Sequence, residues 1–230
     1  MRKNRGQMSE SFLLSAMLAV VGGFLDAYTY LLRGGVFANA QTGNMVLLGV
    51  NAVKGEFLRA LYYLIPIGAF ALGVLAAEAV RRAFQSHPRF HWRQIVVAVE
   101  FLLLLGAAFV PQGKFDVAVN VMVSFVCAMQ VESFRKVNGN AFASTMCTGN
   151  LRSATERFWR YRLTKDRSEW NKGVQYLLII LFFIAGAAAG AWLSGIWGVR
   201  AVLFCCLLLG AGFGVMFLKE DLPEIKEGLS

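Results

Sequence analysis

The sequence predicts an all-α, polytopic membrane protein. It expects about six transmembrane helices and two short re-entrant or broken segments, set in two pseudo-symmetric repeats of inverted orientation. Three observations carry this. The 230 residues are 57% hydrophobic and only 16% charged, with a mean hydropathy of +0.54, whereas a soluble domain carries about 25% charged residues. Long apolar runs alternate with basic clusters, the pattern of spanning helices and their cytoplasmic loops. The tripeptide Thr42-Gly43-Asn44 recurs 106 residues later as Thr148-Gly149-Asn150, and each copy follows an acid, Asp26 or Glu132, by the same distance. The runs do not alternate residue by residue, which excludes an outer-membrane barrel of strands about ten residues long.

Along the chain, the first helix covers about 11–31 and ends at the Gly-rich break Arg33-Gly34-Gly35. A short semi-apolar segment follows at about 38–52, then a helix at about 57–80. Arg81 to Arg93 forms a basic loop before a helix at about 94–111. A turn with Pro111, Gly113 and Asp116 leads to a helix at about 116–135. The segment at about 144–158 carries the second tripeptide and a basic stretch extends to Lys172. Helices at about 174–194 and 199–217 complete the domain, and 219–230 is a polar tail. The 106-residue offset maps a first repeat, about 10–112, onto a second, about 116–218. Shifted by one residue, Phe37-Ala38 also matches Phe142-Ala143.

The two segments with Thr-Gly-Asn are too short and polar to span, since a span needs about 20 apolar residues. With six spans, 18 Lys and Arg fall on the cytoplasmic side against 5 outside; with eight spans the count is 15 against 8. The positive-inside rule favours six. Three spans per half is an odd number, so the halves are inverted, with one broken segment dipping in from each side. The N- and C-termini are then cytoplasmic. The basic N-terminus resembles a signal peptide, but no small-residue cleavage site follows a short apolar core, so an uncleaved first helix is expected.

In such proteins the site lies at the repeat interface, at the breaks. Glycine permits close backbone approach, and Thr and Asn offer groups that cap a helix or coordinate a solute. The same residues can also be purely structural. The expected solute or ion pathway comprises Asp26, Asn39, Gln41, Thr42, Gly43, Asn44, Glu100, Gln130, Glu132, Thr148, Gly149 and Asn150. Intramembrane acids are functional hypotheses by default, so Asp26 is the first candidate for coupling to protons or cations and Glu100 a proton-relay candidate. Asp26 could instead pair with Arg33, and Glu132 with Arg135, near a helix end. Asn120, Tyr28 and Tyr30 could line a polar path. Gly186-x-x-x-Gly190 suits tight helix packing, and Trp92, Trp159, Trp170 and Trp192 suit interfacial anchoring.

The net charge of +9 reads as cytoplasmic loops facing a lipid bilayer, with no nucleic-acid partner expected. The stretch Leu151–Lys172, basic with interleaved aromatics, suits anionic lipid. Cys127, Cys147, Cys205 and Cys206 form no C-x-x-C pair and read as core residues. His87 and His91 flank Pro88 with no further ligand near, so no metal site is expected. No nucleophile–base set, phosphate loop or dinucleotide fingerprint is found. An enzyme is therefore the weaker class, with no catalytic residue and no cofactor expected. A transporter or channel leads, and the alternative is a non-transporting scaffold or sensor with a basic cytoplasmic face. Homodimerisation would help bury so short a bundle.

The stretches Gly22-Gly23-Phe24-Leu25-Asp26-Ala27-Tyr28-Thr29-Tyr30 and Gly35-Val36-Phe37-Ala38-Asn39-Ala40-Gln41-Thr42-Gly43-Asn44, with the second Thr-Gly-Asn at 148–150, closely resemble the YoaK-like family of bacterial integral membrane proteins. The resemblance covers nearly the whole chain. It implies a bacterial inner-membrane protein built on a domain of unknown function, and it brings no substrate or catalytic residue with it.

Overall fold

The computed structural model describes residues 12–85, 92–137, 140–141 and 146–218. The basic N-terminus, His87 and His91, the Phe142-Ala143 pair and the polar tail lie outside the described residues. Eight α-helices form among those described: α1 (Phe12–Leu32), α2 (Gln41–Val53), α3 (Phe57–Phe84), α4 (Trp92–Ala107), α5 (Asp116–Ser133), α6 (Cys147–Thr164), α7 (Arg167–Trp197) and α8 (Leu203–Leu218). A 3-10 turn at Gly198–Val202 joins α7 to α8, and Lys136–Val137 (β1) pairs antiparallel with Asn140–Ala141 (β2). All-α architecture is therefore the fold.

Four stretches are long and apolar enough to cross a membrane: Phe12–Leu32, Phe57–Phe84, Asp116–Ser133 and Arg167–Met216. The last holds α7, the 3-10 turn and α8. Leu58, Leu61, Leu72, Leu75, Leu181 and Leu207 all point outward and are more than half exposed. An apolar belt of that extent is a liability in water and the expected surface in lipid. The chain is a helical membrane protein.

Helix directions follow from cross-helix contacts. α1 runs parallel to α7: Ala16 and Ala19 pack with Tyr176 and Ile179, and further along the Tyr28 hydroxyl donates to the Val199 carbonyl at 3.2 Å. α3 runs parallel to α5, with Asn120 on Tyr62 near one end and Ala77 against Met129 near the other. α1 and α5 are antiparallel. Gln130 Nε2 on α5 donates to the Leu18 carbonyl, and Asn120 Nδ2 donates to the Arg33 carbonyl. The first helix of each half thus packs on the third helix of the other half.

Those contacts are close because of glycine. A Cβ on Gly23 would strike the Phe183 carbonyl and one on Gly186 the Val20 backbone, so α1 and α7 touch backbone to backbone. Gly190, the partner of Gly186 in the small-residue motif, lies against Phe24 in the same seam. A Cβ on Gly73 would likewise meet Phe125 on the α3–α5 side.

The largest departures from the expected boundaries are at the end of α6 and the start of α7; α3 also runs on to Phe84, α4 stops at Ala107 and α8 starts at Leu203. α6 continues to Thr164, and α7 starts at Arg167 where the apolar count placed its start near Val174. Lys165 takes a left-handed conformation (φ 55°) that ends α6, and the Asp166 carboxylate caps the Ser168 amide to start α7. At 31 residues, α7 is about 46 Å long, well beyond a hydrocarbon core of about 30 Å. Its first turns are accordingly polar and invisible to hydropathy.

The ends of the bundle differ in charge. Arg81, Arg82, Arg93, Arg135 and the arginines of α6 lie toward the end where α1 and α7 start. Arg33, Lys54, Arg59, Lys114 and Arg200 lie toward the other.

Candidate functional site at the starts of the broken helices

After α1 the chain turns at Gly34 (φ 83°) and Gly35 (φ 77°), values that L side chains rarely adopt. It then folds back along α1, so that Asn39 Nδ2 donates to the Gly22 carbonyl halfway down that helix. α2 starts there and climbs back to the end it came from. It is a half-helix that begins at the first tripeptide with its N-terminus inside the bundle.

Asp26 meets that N-terminus. Its Oδ1 accepts from the Asn39 amide at 2.7 Å and the Ala40 amide at 3.4 Å. A helix start presents unpaired N–H groups and partial positive charge, and these donors offset part of the cost of burying a carboxylate there. Only 6% of Asp26 is exposed, and it does not pair with Arg33.

The Asn44 side chain is fully occupied. Its Oδ1 accepts from the Phe37 amide at 3.0 Å, and its Nδ2 donates to the Phe37 carbonyl at 2.7 Å and to Gln41 Oε1 at 2.8 Å. Gln41 Nε2 in turn donates to the Ala38 carbonyl. Asn44 thus mimics a strand partner for Phe37 and pins the loop. Gly43 lies under the Phe37 ring, where a Cβ would approach to 2.8 Å. Thr42 is exposed.

The second half-helix, α6, also begins at its tripeptide. It runs antiparallel to α7, with Phe158 against Gly173 and Ala154 by Ile179. Its start therefore reaches the level of Gly23, and the Cys147 thiol comes within Coulombic range of Asp26. The two half-helices enter from opposite ends: the loop at the start of α2 holds the Asp26 carboxylate, and the start of α6 comes within electrostatic reach of it. Asn150 is buried, Thr148 is exposed, and a Cβ on Gly149 would meet none of the described residues within 4 Å.

Behind Asp26 lies Cys127 of α5, which faces the Asn39 side chain and is within electrostatic reach of both Asp26 and Glu100. Glu100, at the middle of α4, is completely buried, and neither of its carboxyl oxygens has a hydrogen-bond partner. Asp26, Asn39, Cys127, Cys147 and Glu100 form one polar seam between four helices and a loop.

Two expected pathway residues lie elsewhere. Gln130 ties α5 to the α1 backbone. Glu132 pairs with Arg135, which also approaches Glu78 at 3.9 Å. Sequence reasoning missed a second cluster. Arg33 is fully buried and pairs with Asp116 at 2.9 Å. It also donates to the Tyr28 hydroxyl and to the carbonyls of Val110 and Pro111. This knot closes the end opposite the basic one. The signal was present, because six spans place Arg33 and Asp116 at one end.

The family described as a protein of unknown function, DUF1275, matches residues 14–215. The chain belongs to the DUF1275 family. That match contains both half-helices, Asp26, Glu100 and the Arg33–Asp116 knot, and it bears out the family resemblance of the two Thr-Gly-Asn blocks. No curated protein and no solved structure matches the DUF1275 chain.

Proposed function

We propose that this protein is a small bacterial inner-membrane transporter or channel for a small solute or ion. Its pathway runs between two inverted repeats, with the N- and C-termini cytoplasmic. One observation carries the reading: two half-helices enter from opposite ends, one beginning on a buried carboxylate and the other within electrostatic reach of it. Irregular backbone inside a membrane protein is tolerated only where protein buries it or water lines it, and paired broken helices are how many transporters build a site. The antiparallel α1 and α5, and the crossed packing of α1 on α7 and α5 on α3, support the inverted repeat. The concentration of arginine at one end supports the orientation. Asp26 and the start of α2 form one wall of the pathway, and the start of α6 with Cys147 forms the other.

The test is thiol labelling of the full chain in oriented vesicles, located by peptide mass. The native Cys147 reports on α6 and an Ala40→Cys variant reports on α2, since Ala40 keeps its backbone donor to Asp26 after substitution. Labelling of Ala40→Cys by an impermeant reagent from outside, and of Cys147 from inside, is expected. If neither reacts while a control at Lys54→Cys does, there is no water path and the transporter reading falls.

A second reading would then lead, that of a membrane scaffold or sensor. It is favoured by the exposed arginines of α6, where Arg162 stacks on Trp159 at 5.8 Å, a surface suited to anionic lipid.

A further inference from the structure

The two buried acids of the seam are held differently, and the difference bears on what is coupled to transport. Asp26 has a built cradle of two backbone amides at the start of α2, so its negative charge is matched where it sits. Glu100 has no cradle. It lies at the middle of α4 with 0% exposure and both oxygens unpartnered. The groups that face it are α5's Cys127 and α8's Cys205 and Cys206, the last of which lies against the Phe101 carbonyl. From α3, Ala76, Ala77 and Val80 pack near the start of α4, and Ala201 and Val202 of the 3-10 turn join the apolar cluster around it. Among the described residues, no Lys, Arg or His side chain faces Glu100, and the acid Asp26 of α1 lies beyond Cys127.

An ionised carboxylate buried in a membrane interior without a protein cation or donor is strongly unfavourable. A carboxylic acid in the same place is neutral and costs far less. Building on the transporter reading, we infer that Glu100, not Asp26, is the proton-binding site: it is a neutral acid in this closed arrangement, and the pathway opens as its proton leaves. On opening, water reaches the carboxyl group and its O–H bond breaks. The electron pair stays on the Glu100 oxygen and the proton passes to water on the side that has opened. Rebinding of a proton from the other side restores the closed packing against Cys127, Cys205 and Cys206. Asp26 stays on the two amides at the α2 start throughout and is not the group that exchanges the proton. The ligand class at Glu100 is therefore the proton, and the protein couples its solute to a proton gradient.

The experiment has two arms on the full-length protein in reconstituted membranes. The first is infrared spectroscopy of the native chain near neutral pH. A carboxylic-acid carbonyl band should be present, should shift when glutamate is carbon-13 labelled but not when aspartate is, and should vanish in Glu100→Gln. Absence of the band, or a shift only with labelled aspartate, overturns the proposal without relying on any variant folding. The second arm compares Cys147 labelling in the native chain and in Glu100→Gln at one fixed alkaline pH, so that the thiol's own chemistry is the same in both. Glu100→Gln mimics the permanently protonated site and should slow labelling by about tenfold, a modest shift in a two-state population. Equal rates overturn the coupling and leave the pathway standing. No labelling in either protein, with the Lys54→Cys control reacting, overturns the pathway and the coupling together. In that case the infrared band still reports whether Glu100 is neutral.

Discussion

The two Thr-Gly-Asn half-helices share a tripeptide and little else. In the first, Asn44 spends three hydrogen bonds pinning its own loop, Gly43 lies under the Phe37 ring, and Asp26 closes the helix start. In the second, a Cβ on Gly149 would meet none of the described residues within 4 Å, and the acid at the matching position, Glu132, pairs with Arg135. The residues that precede α6, 142–145, lie outside those described. α2 is also short, at 13 residues, with an apolar outer face (Met45, Val46, Val53), whereas α6 has 18 and carries Arg152, Arg157, Arg160 and Arg162 out along α7. The comparison teaches that a repeated motif marks where a helix breaks and does not fix the chemistry there. In this chain the matched charge is in the first half and the open, basic surface in the second.

The largest effect that would break this comparison is at the knot beside the first half. Arg33→Ala leaves Asp116, the Tyr28 hydroxyl and the carbonyls of Val110 and Pro111 without their donor. Breaking a buried ion pair by removing one partner costs about 3–5 kcal/mol. A lowered unfolding temperature in detergent, of the size that follows from that cost, is the expected outcome. No loss of stability would mean that Arg33 is not the clamp joining α1, α4 and α5.

Asn44→Ala comes next. It strips partners from the Phe37 amide, the Phe37 carbonyl and Gln41, at about 1–3 kcal/mol for each buried group left unsatisfied. The start of α2 should loosen first, read as faster amide exchange in 37–44 with the rest of the bundle unchanged. Paired glycine variants then sharpen the contrast. Gly43→Ala drives a methyl into the Phe37 ring, and overpacking of that kind costs about 1–3 kcal/mol. Gly149→Ala lies inside a helix, meets no neighbour among the described residues, and should be neutral or gain about 0.5–1 kcal/mol. Thermal unfolding of the two variants side by side decides it. Equal losses would mean that the tripeptides serve one structural role.

Much of this was legible before the fold. Where the arginines fall predicts six spans; four stretches are long and apolar enough to cross, and antiparallel α1 and α5 agree with the expected inversion. The placement of Asp26 and Thr-Gly-Asn at a helix break followed from their repeat. The pairing of Glu132 with Arg135 was foreseen as the alternative to a pathway role. The rest depends on which helix faces which. That Glu100 is isolated is set by α8 turning Cys205 and Cys206 toward it, and neither hydropathy nor spacing records that orientation. That Arg33 seeks Asp116 and not Asp26 depends on α4 and α5 meeting the end of α1. The start of α7 was misplaced because its first turns are polar, projecting past the apolar slab.

The smallest expected effect lies at the third helix of each half. Neither Glu56 before α3 nor any other side chain caps that helix, whereas Asp166 caps α7, accepting from the Ser168 amide and hydroxyl. Those two bonds, with Lys172 nearby, hold the Asp166 carboxyl below its ordinary value of 3.8. A depressed carboxylate adds stability that is fully present above its unfolded value and fades as pH falls through the lower folded one. The α6–α7 corner should therefore fray only in acid below pH 4, while the start of α3, which has no such cap, should show no matching change from this source. Asp166→Ala should weaken that acid sensitivity at the α7 start, leaving the part carried by the Glu169 ion pairs with Arg157 and Lys172, read as amide exchange at Ser168 and Glu169 across pH. Because the carboxylate is fully solvent-exposed, its contribution is screened and local. A global change in unfolding temperature on Asp166→Ala would mean that this corner holds the bundle together, and would undo the contrast between a pinned first half and a loosely edged second one.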